Sequence, residues 1–178
     1  MTRNEVFHRQ IWAALAPLEE TAFEAIAARV PEPETVRAIE AELDASFPAE
    51  FVAFSMKTNG LLVNARQAHW PEPEEGWVGP AWKLWRGVVL LGFDTEDLPG
   101  WASLRTAAYN LRQAGIQGVA PIFKVVGDAG RMWGVDDSGR CVLVADGEVH
   151  VLESLLVDAY RAEIEALVAR QQAVAGRR

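Results

Sequence analysis

Apolar side chains in the first third of the chain recur every three to four residues, the spacing of one face of a helix. Phe7, Ile11 and Leu15 predict a helix over residues 4–16. Pro17 interrupts it, and Phe23, Ile26 and Val30 then predict a second helix from Leu18 to Val30. Pro31 and Pro33 mark a connection. Beyond them Thr35 is placed to cap a helix in which Val36, Ile39 and Leu43 form one stripe, with Glu40, Glu42 and Asp44 mostly outward.

The next stretch, SFPAEFVAFSMKTNG (Ser46 to Gly60), restarts the helical period with Phe47, Phe51 and Phe54 on one face. Pro48 suits a first turn, where its missing N–H has no intrahelical partner to lose. Asn59 and Gly60 readily adopt positive φ, so the helix is expected to end there and the chain to turn into a first strand, LLVNA.

From residue 67 the periodicity changes character. Residues 67–87 carry four of the seven tryptophans, three prolines and three glycines, and predict an ordered but irregular insertion. VVLLGF, Val88 to Phe93, is an unbroken apolar run of strand length. Trp101, Leu104, Ala108 and Leu111 predict a helix stopping near Gly115. Four short strands follow, PIFKVVG, RMWGVD, RCVLVAD and EVHVL, separated by Gly- and Asp-rich turns. Asp146-Gly147 between β-branched runs is a strong hairpin signal, and an antiparallel meander results. Ser154 is placed to cap a long last helix with Leu156, Tyr160, Ile164 and Leu167 on its buried side, and QQAVAGRR (171–178) is expected to fray. The expected fold is α+β: a mainly antiparallel sheet with helices packed on one face, N-terminal helices and a long C-terminal helix, in one domain over residues 1–178.

Composition narrows the function classes. Half of the 178 residues are apolar, enough for one core, yet no uninterrupted run of eighteen could span a bilayer. The charges in MTRNEVFHRQ come too early for a secretory leader, and the single Cys141 fits a reducing compartment, so a cytoplasmic protein is expected. The net charge of −8 is uneven: residues 1–100 hold 16 acidic and 8 basic side chains, residues 101–178 nine of each. The density peaks between Glu32 and Glu50, where six acids face one base, Arg37. Such a surface repels nucleic acid and anionic lipid and draws in cationic partners.

Residues capable of chemistry do not fall into a reactive pattern. His8, His69 and His150 are far apart, and no metal-type His or Cys spacing occurs. Cys141 opens an alternating strand and is expected to be a small core hydrophobe. GDAG (127–130) is too short for a phosphate loop and lies between strands, while turn chemistry accounts for Asp136-Asp137-Ser138-Gly139. Trp133 is expected in the core. Trp77, Trp82 and Trp85 suit either packing of the insertion or exposed recognition, and Glu72, Glu74 and Glu75 lie alongside.

Three segments in order carry a family resemblance: the Glu40–Leu43 helix followed by FPAEFVAFSMKTNG, the strand pair MWGVDDSGRCVLVADGEV, and the helix start ESLLVDAYRAEI. Together they resemble the SUKH superfamily, the Smi/Knr-like domains, across roughly residues 34–170. Residues 1–33 would then be an N-terminal extension, and the Trp-rich segment and the Trp101–Ile116 helix additions to the middle. The resemblance implies an α+β immunity protein that blocks a cognate toxin, often a nuclease or other nucleic-acid-modifying enzyme, or alternatively a regulatory scaffold. Neither role needs catalysis, a cofactor or a metal. The expected partner is a basic toxin rather than nucleic acid or membrane, with Glu72, Glu74, Glu75, Trp77 and Asp137 as contacts. A small-molecule site under the insertion is the third reading, and oligomeric state is left open.

Overall fold

In the computed structural model, which describes residues 1–176, seven strands form one antiparallel sheet in strict chain order. The strands are β1 (Phe23–Ala28), β2 (Asn59–Ala65), β3 (Gly87–Leu90), β4 (Val119–Val126), β5 (Arg131–Asp136), β6 (Cys141–Ala145) and β7 (Glu148–Val151). The helices are α1 (Arg3–Leu15), α2 (Pro33–Leu43), α3 (Ala49–Ser55), α4 (Leu104–Gln113) and α5 (Leu156–Ala175). This is the α+β architecture, with N-terminal helices and a long C-terminal one. At Asp146 and Gly147 φ is 52° and 79°, the paired positive values that a tight hairpin between right-twisted strands requires.

Helix α1 begins in a reciprocal cap. The Thr2 hydroxyl accepts from the Glu5 N–H, and the Glu5 carboxylate accepts from the Thr2 N–H. Its buried stripe Phe7, Ile11 and Leu15 joins a core that also takes in Phe51 and Phe54 of α3. The phenylalanines meet edge-on, Phe7 against Phe54 at 6.0 Å and Phe47 against Phe93 at 5.5 Å, an arrangement aromatic quadrupoles favour. Further along the sheet Phe123 stacks on Trp133 at 4.9 Å, and Tyr160 of α5 stands edge-on to Phe123 at 5.5 Å. Trp133 is thus a core residue, as expected. Successive residues of a strand point to opposite faces. Trp133 and Leu143 join the main core, whereas Val144, the residue after Leu143, packs with Leu111 and Ile116. The end of α4 and the loop after it therefore add a small second cluster across the sheet.

Several local expectations change. Residues 23–28 form the edge strand β1, not the second half of a helix. Ile26 and Val30, two of the three residues of the supposed stripe, stand about half exposed, while Phe23 to Ile26 pair in register with Ala65 to Leu62. Sheet pairing overrides the helical preference of an alanine-rich segment. Helix α2 starts at Pro33 with Glu32 before it, so Thr35 lies within the first turn and does not cap. Leu155, not Ser154, precedes α5, and no side chain caps that helix. The tail is ordered through Ala175, with Gln171 buried and its amide donating to the His69 carbonyl at 3.3 Å. Arg177 and Arg178 lie outside the described residues.

The largest revision concerns Asn59 and Gly60. Helix α3 ends at Ser55, and Asn59 opens β2 as a fully buried polar residue. Its amide nitrogen donates to the carbonyls of Arg29 and Phe93, each at 2.9 Å, and its amide oxygen accepts from the Phe93 N–H at 2.9 Å. Gly60 follows at φ +61°, where a Cβ would run into the Leu98 side chain. One carboxamide thereby satisfies the backbone where β1 and β3 leave the sheet. Replacing it strands the buried N–H and carbonyl of Phe93 and the part-buried carbonyl of Arg29, so Asn59→Ala is expected to lower unfolding free energy by about 2–4 kcal/mol. Urea denaturation checks this; a loss well below about 1 kcal/mol would show that the bonds are replaced.

Candidate functional site

Around the end of the sheet where β4 begins, β5 ends and β6 begins, the packed helices and loops leave a groove of about 1300 Å³. It touches both the main core and the smaller cluster of Leu111 and Ile116. Its walls come from the start of α1, the α2–α3 connection, the end of α4 with the loop after it, the β5–β6 turn, and the segment leading into α5. Buried apolar side chains line it: Phe47, Leu111, Ile116, Val135, Cys141 and Val157. The Cys141 thiol is pushed up to about 11 by burial, so it stays protonated near neutrality and is a poor nucleophile.

Charge at the groove is partly cancelled internally. Arg3 pairs with Glu50 at 2.8 Å, and Arg140 with Asp136 at 2.8 Å. Arg112 donates to the Leu43 carbonyl that ends α2. Asp136 is the hub of the β5–β6 turn, accepting from the N–H groups of Ser138 and Arg140, each at 2.9 Å. These bonds, first among them the one from the Arg140 N–H, hold its carboxyl below the ordinary aspartate range. Asp44, Asp137 and Glu153 form no ion pair among the described residues and are exposed. Asp44 holds the left-handed position at the end of α2, φ 46°, which short polar side chains tolerate.

The five acidic and aromatic residues expected as contacts are divided. Asp137 lies at the groove. Glu72 and Trp77 line a separate hollow of about 220 Å³, with Trp70, Pro71, Pro73, Lys83 and Val174. Glu74 and Glu75 are exposed beside that hollow and border neither depression. The two depressions share no residue. Trp77 is half-buried, with the Lys83 ammonium 5.0 Å from the ring centre. Trp70 is buried, its indole N–H donating to the Lys83 carbonyl at 2.8 Å, and Trp85 lies 4.8 Å from the Arg131 guanidinium. The insertion is thus largely packed through its tryptophans. Asp44, Glu153 and the two-thirds-exposed Leu155 at the groove were not anticipated; Asp44 lies in the acid-rich stretch, but nothing local distinguishes the other two.

A second polar cluster serves to join elements. Arg131 sits between Trp85 and Trp133, 2.6 Å from Asp128 and 3.6 Å from Glu163, and Arg170 approaches Glu163 at 3.8 Å. Burial raises the Glu163 carboxyl, against the pull of Arg131 and Arg170, and lowers Arg170. Among the described residues, no group of three or more His, Cys, Asp or Glu side chains is placed to hold a metal, and no helix is long and apolar enough to cross a membrane. Compared with models of known families and with curated proteins, the chain matches none.

Two outcomes follow. Native protein at pH 8 should react with a disulfide reagent far more slowly at Cys141 than the urea-unfolded chain does, read as the rate of thiolate release. Asp136 binds its proton more weakly folded than unfolded, so its contribution is present above the unfolded value and lost as pH falls through the folded one. Asp136→Ala should therefore lower the melting temperature at neutral pH, and the gap should close in acid below the ordinary value of 3.8.

Proposed function

We propose that this chain is a protein-binding domain of the SUKH type, an immunity protein that neutralises a cognate toxin by stoichiometric occlusion. The toxin is a nuclease or another enzyme that modifies nucleic acid. The observation that carries this reading is the open groove, its surface part apolar and part polar, bordered by carboxylates that form no ion pair among the described residues. Enzymes that hold nucleic acid present basic clefts, and a complementary acidic surface speeds their encounter with a blocker. Affinity then comes from a few desolvated anchors within an interface of roughly 1,600 Å².

The order of elements lends further support. The Pro48-started α3 precedes six of the seven strands, the Trp133-Gly134 strand leads into a hairpin, and a helix closes the chain. These are the parts on which the SUKH resemblance rests.

Co-expression with the toxin gene next to this one should protect cells, and the two proteins should co-purify in equal amounts. Their association rate should fall steeply as salt rises, because charge steers the encounter. Absence of both protection and complex overturns the proposal. A complex with a housekeeping protein and no toxin partner would make the domain a regulatory scaffold instead.

A further inference from the structure

The geometry points to the groove at the end of β4–β6 as the seat of an amphipathic helix from the partner, one with an apolar stripe flanked by Lys or Arg. This rests on the partner-binding reading above and specifies which surface binds and what it takes.

Size comes first. At about 1300 Å³ the groove exceeds the roughly 300–1,000 Å³ of sites for small ligands. It is open at the surface and walled by five separate parts of the chain, the proportions of a site for a piece of polypeptide.

The mode of recognition follows from the sheet. β5 and β6 are paired on both sides, and β4 pairs with β5 from Val119 to Phe123 but with β3 only from Phe123 onward. At the groove only residues 119–121 therefore lack a strand on one side, and Pro121 has no N–H to offer. Three residues, one of them a proline, are too short a ladder for an added strand, which needs one of the full free edges, β1 or β7. The occupant has to be recognised through its side chains. A segment that satisfies its own backbone and shows an apolar stripe with polar flanks to a groove of mixed surface is an amphipathic helix. Buried Phe47, Val135 and Val157 would meet that stripe, with Leu155 at the border adding apolar area now in water.

Charge then fixes what flanks the stripe. Five acids and three arginines line the groove, and the two ion pairs remove two of each sign. Asp44, Asp137 and Glu153 remain against Arg112. The three carboxylates come from three different connections, so they border the groove at several points. A helix with lysine or arginine beside its apolar stripe complements them; one with glutamate there is repelled.

The probe is a labelled peptide of about sixteen residues, long enough to hold a helix, with leucine on one face and lysine elsewhere. Its counterpart carries glutamate for lysine. Fluorescence anisotropy should show saturable binding of the lysine peptide at one site and none of the glutamate peptide. The variant D44N/D137K/E153K keeps a residue suited to positive φ at position 44 and breaks no ion pair. It should bind the lysine peptide about tenfold or more weakly while melting near the parent temperature. E72K/E74K/E75K, on the insertion, should stay within about twofold of the parent.

Equal binding of both peptides, no saturable binding, or weakening by the insertion variant in place of the groove variant would each overturn the inference. The broader proposal fails separately. If the groove variant still protects cells from the neighbouring toxin, the groove inference falls and the immunity reading stands. If the groove binds the lysine peptide but the chain neither protects nor forms a complex, the reverse holds.

Discussion

The fully buried carboxamide of Asn59 ties together the parts of this fold that meet where the helices enter the sheet. It reaches the Arg29 carbonyl just past β1 and both the N–H and carbonyl of Phe93 just past β3. Strands flanking β2 on both sides are thus referred to one side chain, at the residue that opens β2. No apolar residue could do this, because the buried N–H and carbonyl of Phe93 would go unsatisfied and the part-buried Arg29 carbonyl would lose its partner. Gly60 completes the junction by supplying the positive φ that lets the chain turn into β2. Phe47 and Phe51 pack against Phe93 beside it, so the polar clamp and the aromatic cluster fix the same point from two sides.

At the other end of the core, α5 holds the insertion by its backbone. Arg170 donates to the Trp85 carbonyl at 3.1 Å and Gln171 to the His69 carbonyl at 3.3 Å, one contact at each end of the irregular segment. Arg131, between two indole rings and two carboxylates, links the β4–β5 turn to the same helix. The irregular stretch therefore needs no period of its own; helix and sheet supply its order. This explains why most of its tryptophans face inward and the acids beside them outward.

The groove shows how a chain of net charge −8 concentrates its field. Many acids elsewhere are spent on local partners, as Glu34 is on Arg37 and Asp158 on Arg161. At the groove the pairing is incomplete, and carboxylates stand beside apolar surface that a partner would desolvate. Charge next to a low-dielectric contact acts more strongly than the same charge on an open helix face. The groove is also built on the ends of interior strands and packed helices, so its shape is set before any partner arrives, which lowers the entropy cost of binding.

Much of the architecture was legible because it is local. The three helices with long apolar stripes, the meander after residue 118 and the Asp146-Gly147 hairpin each follow from a period or a turn residue acting within a few positions. Trp133 in the core and Cys141 as an inert buried thiol follow in the same way. What failed was decided at a distance. Phe23 to Ala28 reads as helix until β2, some forty residues on, offers it a ladder; Asn59 reads as a helix end until Phe93 and Arg29 come within reach. The groove was hidden for the same reason, since Asp44, Asp137 and Glu153 share no motif and are brought to one place by the closing of the sheet and the seating of α5. Sequence alone settled which segments are helix or strand wherever neighbouring residues carry the free energy; tertiary structure settled edges, clamps and the site, because those energies belong to pairs far apart along the chain.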